Sequence, residues 1–532
     1  MDPSSRWQHF RDTCWCDEDL GLRLDLSRVR DERDAGERLA PALQVALSEM
    51  AELEAGSLAN GTQQRQVGHY WLRSPERAPD ETARREIVES RKAVETFAAA
   101  VRGGTIHPAG ATRFTRFLLI GIGGSALGPQ LVDGVLRSES DGMRASFLDN
   151  TDPDGFAEVL DGPGCDLSAT LIITASKSGT TPETRNGMLA VRAACARSGV
   201  DFSSRAVAVT SPGSCLDDLA RTEGWLARFS IPEWVGGRTS VMSAIGLLPA
   251  ALSGFDHAAL LDGAAAMDAR TREATIARNP AARLARAWYL ETGGRGDRDL
   301  VVLPYRDRLA LLPRYLQQLI MESIGKRCDR DGKVVHQGLT VYGGKGSTDQ
   351  HAYVQQLRDG LPRACTLFVN VLEDVGDDPI DVGEGLSSSD HLFGFLLGTR
   401  AALDEGRRDS ITLTVNRLDA RALGAVIALC ERTVGLYASL INVNAYDQPG
   451  VEAGKAAAVS VLGLQRQIVA VLKNAGGTAM TVAAVAEAVD ARDEMVTVFE
   501  ILERLAYDRW RAVRRIPGST VLEATYAWAA AG

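Results

Sequence analysis

The stretch FTRFLLIGIGGSALG, residues 114–128, carries the reading of the fold. A short apolar run ends in a Gly/Ser loop, and a helical pattern follows. The same order returns in ATLIITASKSGTTPET (169–184) and RAVAVTSPGS (205–214). Strand, small-residue loop and helix in alternation predict a parallel α/β sheet. After a helix-rich stretch near 255–295, a second set begins with DLVVLPY (299–305) and KVVHQGLTVYGG (333–344). It continues with ACTLFVNVLE (364–373) and SITLTVNRL (410–418). Two α/β domains are expected, one over 105–255 and one over 256–455, whose strands start near 296. No fixed-period repeat and no low-complexity linker interrupts them.

Outward from this centre the texture changes. Residues 1–104 read as a helical segment. DERDAGERLAPALQVALSEMAELEAG (31–56) and DETARREIVESRKAVETFAAAVRGG (80–104) place apolar residues three and four apart among charges. The tail, 456–532, reads as a separate module. LGLQRQIVAVLKNAGG, TVAAVAEAVD and DEMVTVFEILERLAYD predict three short helices. RWRAVRRIPGSTVLEATYAW predicts a hairpin turning at Pro517-Gly518. Three helices and a hairpin outline a winged-helix-like module. From residue 460 onward eight Arg/Lys meet eight Asp/Glu, whereas DNA-binding winged helices are usually basic. A packing or interface role is the expectation.

Composition narrows the function classes. The 532 residues carry 59 Lys+Arg against 69 Asp+Glu, a net charge of −10, with 45% apolar residues. That is an ordinary globular balance. The acidic excess argues against a general partner in nucleic acid or an anionic membrane. The charged N-terminus shows no secretory signal, and no stretch reaches the ~18 apolar residues of a membrane span. A cytoplasmic protein is the expectation. Eight Cys are scattered, with only Cys14 and Cys16 close together, and no paired CxxC spacing points to zinc. Reduced thiols fit that pattern. Only seven of the 59 basic residues are Lys, and four of them (Lys177, Lys326, Lys345 and Lys455) lie inside the motifs below. Where Arg is the default, a retained Lys hints at a need for a compact ammonium.

The loops carry the chemistry. Gly121 to Pro129 (GIGGSALGP), including Gly124 and Ser125, follows an apolar strand. Its glycines let backbone approach a ligand, and the next helix offers unpaired N–H groups. The loop also fits a loose dinucleotide pattern, with Asp149 ending a later strand. Ser176, Lys177, Ser178, Thr180 and Thr181 then set four hydroxyls and one ammonium around Gly179, ahead of Pro182. This exceeds what helix capping needs and reads as a phosphate cradle. A nicotinamide enzyme has no use for this second cradle. Arg238 after two glycines reads either as a surface ion pair or as a guanidinium facing an oxyanion. In QQLIMESIGK, Gln318, Glu322 and Lys326 are spaced by four on one helical face. Leu319, Ile320 and Met321 would surround Glu322 with apolar bulk and push it toward the range of a general base. GGKGSTDQH (343–351) and DQPGVEAGK (447–455) are two more polar loops running into helices.

Together these segments resemble the glucose-6-phosphate isomerase (phosphoglucose isomerase) family, which has two sugar-isomerase (SIS) type α/β/α domains. GIGGSALGP, SKSGTTPET, GGRTSVMSAIGLLP, QQLIMESIGK, GSTDQHAYVQQ and DQPGVEAGK stand in the family's order over about two-thirds of the chain. The resemblance implies that Gly124, Ser125, Ser176, Lys177, Ser178 and Thr181 hold the sugar phosphate. It implies Glu322 as the base between C1 and C2, and Arg238 as the partner of the enediolate oxygen. His351 and Lys455 would assist ring opening, and Gln318 and Gln448 would position the sugar. It further implies no metal or cofactor, and a homodimer in which His351 reaches the neighbouring site. Two departures stand out: SKSGTT where many members have a bulkier SKTFTT, and ESIGK where they have ESNGK. Neither removes a catalytic group. A sugar-phosphate-binding regulator would need the cradle but not Glu322, His351 and Lys455 together, so an enzyme is expected. Discrimination at C2 depends on pocket shape, which leaves mannose 6-phosphate open as a further substrate.

Overall fold

Thr170–Ala175 and Ala206–Thr210 are buried at every position. Side chains on both faces of a strand are all buried where helices cover both faces of a parallel sheet. That is the arrangement in the computed structural model, which describes residues 3–30, 33–59, 64–137, 142–162, 164–374 and 380–529. The first sheet has five parallel strands in the order Arg144–Leu148, Arg116–Ile120, Thr170–Ala175, Ala206–Thr210, Ala227–Ser230. In chain order this is 2-1-3-4-5. The connections therefore diverge between Arg116–Ile120 and Thr170–Ala175. In such sheets the crevice outside the carboxyl ends of that strand pair is where ligands bind.

The second sheet has six strands. Val341–Gly343, Asp299–Pro304, Ala364–Val371 and Ser410–Val415 are neighbours in that order and parallel. Two antiparallel strands complete it: Leu22–Arg28 pairs with Ser410–Val415, and Cys14–Asp17 lies outside as the edge. Arg33–Glu54 and Glu81–Arg102 are helices as expected, but residues 14–28 correct the reading of 1–104 as helical throughout. Residues 14–28 form a hairpin, because Leu20, Leu22, Leu24 and Leu26 alternate with period two and Gly21 turns the chain at φ +59°. The stretch 333–344 also divides. Val334–Gln337 forms a separate ribbon with Lys326–Cys328, and only Val341–Gly343 enters the sheet.

Helices His257–Thr271 and Ala420–Leu440 cross in close contact. A Cβ at Gly263 would stand 1.8 Å from the Arg421 carbonyl, and one at Gly424 would stand 1.9 Å from the Leu260 carbonyl. Only glycine permits that approach. Ala420–Leu440 is long and apolar enough to cross a membrane, yet 89% of that window is buried, as in a core helix of a folded domain. Charges buried beside it are paired. Arg73 reaches Asp268 at 2.7 Å and also Glu431, and Arg432 reaches Asp268 at 2.9 Å and also Glu54.

The chain divides into two compact units, one ending at Asp447 and one starting at Gln448. The second unit opens with Pro449–Asn474, a longer helix than the sequence pattern indicates. Helices Val482–Ala488 and Met495–Tyr507 follow, with three short antiparallel strands: Met480–Thr481, Thr525–Trp528 and Val513–Ile516. Ile468, Leu472, Val485, Val498, Leu502 and Tyr526 form its own core. The hairpin is wider than a turn at Pro517-Gly518, because the short helical turn Val521–Glu523 lies between its strands.

Candidate active site

Two of the predicted loops leave adjacent strands at the divergence point of the first sheet. Arg116–Ile120 runs into the turn Gly123–Ser125 and helix Leu127–Leu136. Thr170–Ala175 runs into Ser176 and, after a turn at Gly179 with φ +70°, into helix Pro182–Arg197. The hydroxyls of the second loop face one another. Ser176 Oγ donates to Thr181 Oγ1 at 3.1 Å and accepts from the Gly179 N–H at 3.2 Å, while Ser178 Oγ lies 2.9 Å from Thr180 Oγ1. Thr181 is the N-cap, yet no side chain caps the helix. The hydroxyl cluster is thus not a capping device, and the positive helix end opens toward it. Ser125 is half-buried, and its hydroxyl makes no hydrogen bond among the described residues.

The third loop, Gly236 to Ser240, packs against both. A Cβ at Gly124 would stand 2.0 Å from the Gly237 carbonyl, so Gly124 serves close backbone approach. Lys177 does not stand free over the cradle as a surface cation. Its Nζ donates to the Glu233 and Val235 carbonyls at 2.7 and 2.8 Å, tying the hydroxyl loop to the segment leading into Arg238. Partial burial, aided by the Arg65 charge, lowers its pKa to about 8.

Arg238 is buried and held on several sides. Nε donates to Ser323 Oγ at 2.7 Å, and Nη2 donates to the carbonyls of Ala445 and of Asp447, the latter at 3.1 Å. Nη1 stands 3.3 Å from Glu322 Oε1. Burial lowers the pKa of this guanidinium. Glu322 lies on a π turn, Gln317–Glu322, that continues helix Leu312–Leu316; such widened turns frequently occur at functional sites. Gln318 Nε2 donates to Glu322 Oε2 at 3.0 Å. A Cβ at Gly123 would lie 3.0 Å from that same nitrogen, so Gln318 hangs over the first glycine loop. The carboxylate thus sits among an amide, a guanidinium and the glycine loops.

This corrects two expectations. The apolar bulk does not surround Glu322: Leu319 and Ile320 point into the core, and Met321 is exposed. Nor do Gln318, Glu322 and Lys326 share one helical face. The helix ends before Lys326, which opens the strand Lys326–Cys328.

A family model described as phosphoglucose isomerase matches residues 28–375 and 397–479. The chain belongs to the phosphoglucose isomerase family. Glucose-6-phosphate isomerases of Synechococcus elongatus and Trichormus variabilis are 53% and 51% identical to it, over 95% of this chain and 95% and 96% of theirs. A crystal structure of a glucose-6-phosphate isomerase from Chlamydia trachomatis superposes with a TM-score of 0.78 at 27% identity, covering 86% of this chain and 91% of that one.

Within this phosphoglucose isomerase fold the first unit brings together Gly124, Ser125, Ser176, Lys177, Ser178, Thr181, Arg238, Gln318 and Glu322. His351 makes no hydrogen bond or ion pair with these groups among the described residues. It ends the turn Thr348–His351, is exposed, and makes no side-chain hydrogen bond among the described residues. Gln448 and Lys455 belong to the second unit, at and just after the start of its long helix, and the Lys455 side chain lies outside the described residues. The sequence pattern gives no role to Ser323 or Asp447, and gives Lys326 only a place on the Glu322 face; all three shape the site from behind. Lys326 Nζ meets the Asp447 carbonyl at 2.9 Å and its carboxylate at 3.3 Å. The signal was present, since Ser323 and Lys326 fall within ESIGK and Asp447 opens DQPG.

Proposed function

We propose that the chain interconverts glucose 6-phosphate and fructose 6-phosphate, an aldose–ketose isomerisation of glycolysis and gluconeogenesis. The observation that carries the mechanism is the Glu322 carboxylate, held between the Gln318 amide and Arg238 Nη1 beside two anion-ready loops. In this reading Ser125, Ser176, Ser178 and Thr181 receive the phosphate with the N-terminus of helix Pro182–Arg197. Glu322 takes the proton from C2 of the opened aldose and returns it to C1, through a cis-enediol. Arg238 is pinned through Nε and Nη2, so Nη1 faces an oxygen developing charge beside the carboxylate without reorganising. Gln318 and Gln448 position the sugar, and His351 and Lys455 assist ring opening. A cytoplasmic location accords with this substrate class.

A homodimer that lends His351 to its partner belongs to the same proposal. Gln350 donates to the Phe395 carbonyl at 3.4 Å, so the His351 turn leans on helix Ser388–Glu405. That helix exposes Phe393 and Phe395 by 43% and 46%, an apolar face suited to a second subunit. The test couples fructose 6-phosphate consumption to glucose 6-phosphate detection. Glu322→Gln should lose roughly 10²–10⁴-fold in turnover, the usual worth of a general base. Refolding Glu322→Gln together with His351→Ala at equal amounts should restore about a quarter of wild-type activity. About half of random pairs are mixed, and each has one intact site of two. Mixed dimers without recovered activity would place His351 in its own subunit's site, or outside catalysis.

A further inference from the structure

The N-terminal hairpin carries a feature that the isomerase chemistry does not use. Cys14 and Cys16 lie on the edge strand Cys14–Asp17, and their sulfurs are 3.6 Å apart. Alternate residues of a strand face the same side, so the sequence C-W-C delivers both thiols to one face. A rise of ~3.3 Å per residue puts their Cα atoms about 6.6 Å apart. Disulfides occur at Cα separations of ~4.4–6.8 Å but need Cβ atoms ~3.5–4.5 Å apart, so closing the bond must draw the two residues out of fully extended geometry. The strand pairs on one side only, with Cys14 opposite Asp25 and Cys16 opposite Arg23, so its free edge can yield as the sulfurs close. Cys16 is exposed and Cys14 is partly buried.

We propose that Cys14 and Cys16 form a redox-convertible dithiol, a modification site for small-molecule disulfides such as oxidised glutathione. The steps balance. The Cys16 thiolate attacks one sulfur of glutathione disulfide, forming a mixed disulfide and releasing one glutathione thiolate. Cys14, on losing its proton, attacks the Cys16 sulfur, forming the Cys14–Cys16 bond and releasing the second glutathione. Two protein thiols give up two electrons and two protons, and one glutathione disulfide becomes two glutathiones. The surroundings suit the order of attack. Burial and the neighbouring Cys16 push the Cys14 thiol up to about 12, so the exposed Cys16 attacks first. Once Cys16 carries glutathione, its own charge no longer opposes ionisation of Cys14. The Arg283 guanidinium, which donates to the Thr13 carbonyl, lies near the pair, whereas the Asp25 carboxylate opposite Cys14 adds to the upward push on its thiol and Arg23 offsets part of it. Among the described residues no group of three His, Cys, Asp or Glu that could hold a metal ion occurs, so the pair is not part of such a cluster.

The test equilibrates the full-length chain in glutathione buffers of graded ratio, quenches with acid and alkylates free thiols. Trypsin releases Asp12–Arg23, which holds both cysteines. In oxidising buffer this peptide should escape alkylation and be two hydrogens lighter. Its oxidised-to-reduced ratio should change about tenfold for each tenfold change in squared glutathione over glutathione disulfide. Cys14→Ser should stop at a glutathione adduct on Cys16, and Cys16→Ser should give neither product in that peptide. The proposal falls if the wild-type peptide stays doubly alkylated at every ratio. It also falls if the peptide keeps glutathione without closing the internal bond, or if either sulfur pairs with another cysteine.

Discussion

Lys326 donates to the main-chain carbonyl of Glu322, at 2.8 Å, rather than to its carboxylate. The same ammonium reaches the Asp447 carbonyl, and that carbonyl also accepts from Arg238. One buried point charge therefore sets the spacing between the proposed base and the proposed oxyanion partner. A misplacement of ~1 Å in such a pair can lower turnover ~100-fold. Lys326→Met should reduce kcat by about 10- to 100-fold with a smaller change in KM. Lys326→Arg should rescue poorly, because a planar fork does not fit a three-acceptor pocket. Steady-state kinetics of both variants decide it, and an unchanged kcat would remove Lys326 from this role.

Lys177 makes a pH prediction. Its pKa is lowered to about 8 by partial burial, with Arg65 adding to the effect. Raising the pH through about 8 removes the ammonium charge next to the hydroxyl cradle. Inhibition by a phosphorylated sugar acid should weaken over that range in the wild type, and the Lys177→Met profile should lack this step. Because Nζ also holds the Glu233 and Val235 carbonyls, the variant should lose kcat as well as affinity. An unchanged inhibition constant in the variant would place the phosphate elsewhere.

Glu291 and Asp409 are buried carboxylates bridged by Arg298, at 2.7 and 3.0 Å. Burial, with the Asp409 charge next, raises Glu291 to about 7. The folded chain therefore holds a proton that the unfolded chain has already released between about pH 4.5 and 7. This contribution to stability is present at low pH and fades as pH rises through about 7. Glu291→Gln should gain stability relative to wild type between about pH 5 and pH 8. Urea midpoints at the two pH values measure the difference, and a pH-independent gap would show that Glu291 does not titrate there.

The tail should not bind DNA. Its arginines are largely answered by acids: Arg515 meets Glu503 at 2.7 Å, and Asp508 lies 3.5 and 3.8 Å from Arg504 and Arg511. Phosphate contacts dominate DNA affinity, so neutralised arginines contribute little. A salt-sensitive mobility shift of labelled duplex by the full chain, lost on deleting 460–532, would overturn this.

Much of the site was legible because its signals are local. Apolar runs ending at Gly121 and Ser176 mark strand ends, and the loop chemistry follows within ten residues. Period-two leucines at 20, 22, 24 and 26 were equally local, but charged neighbours hid them in a helical background. The apolar neighbours of Glu322 misled because adjacency along a helix does not place side chains around one another. The π turn and the helix end before Lys326 then changed which groups face the carboxylate.

From the chain alone came the parallel α/β grammar, the Gly- and hydroxyl-rich loops at the strand ends and the residue types proposed for the chemistry, all written in periodicity and turn composition. Tertiary structure decided what those residues touch. Arg238 is held by Ser323, 85 positions away, and by the Asp447 carbonyl, 209 away, and Leu22–Arg28 pairs with a strand nearly four hundred residues on. Such contacts arise where burial and register bring distant segments together, and local propensity carries no record of that distance.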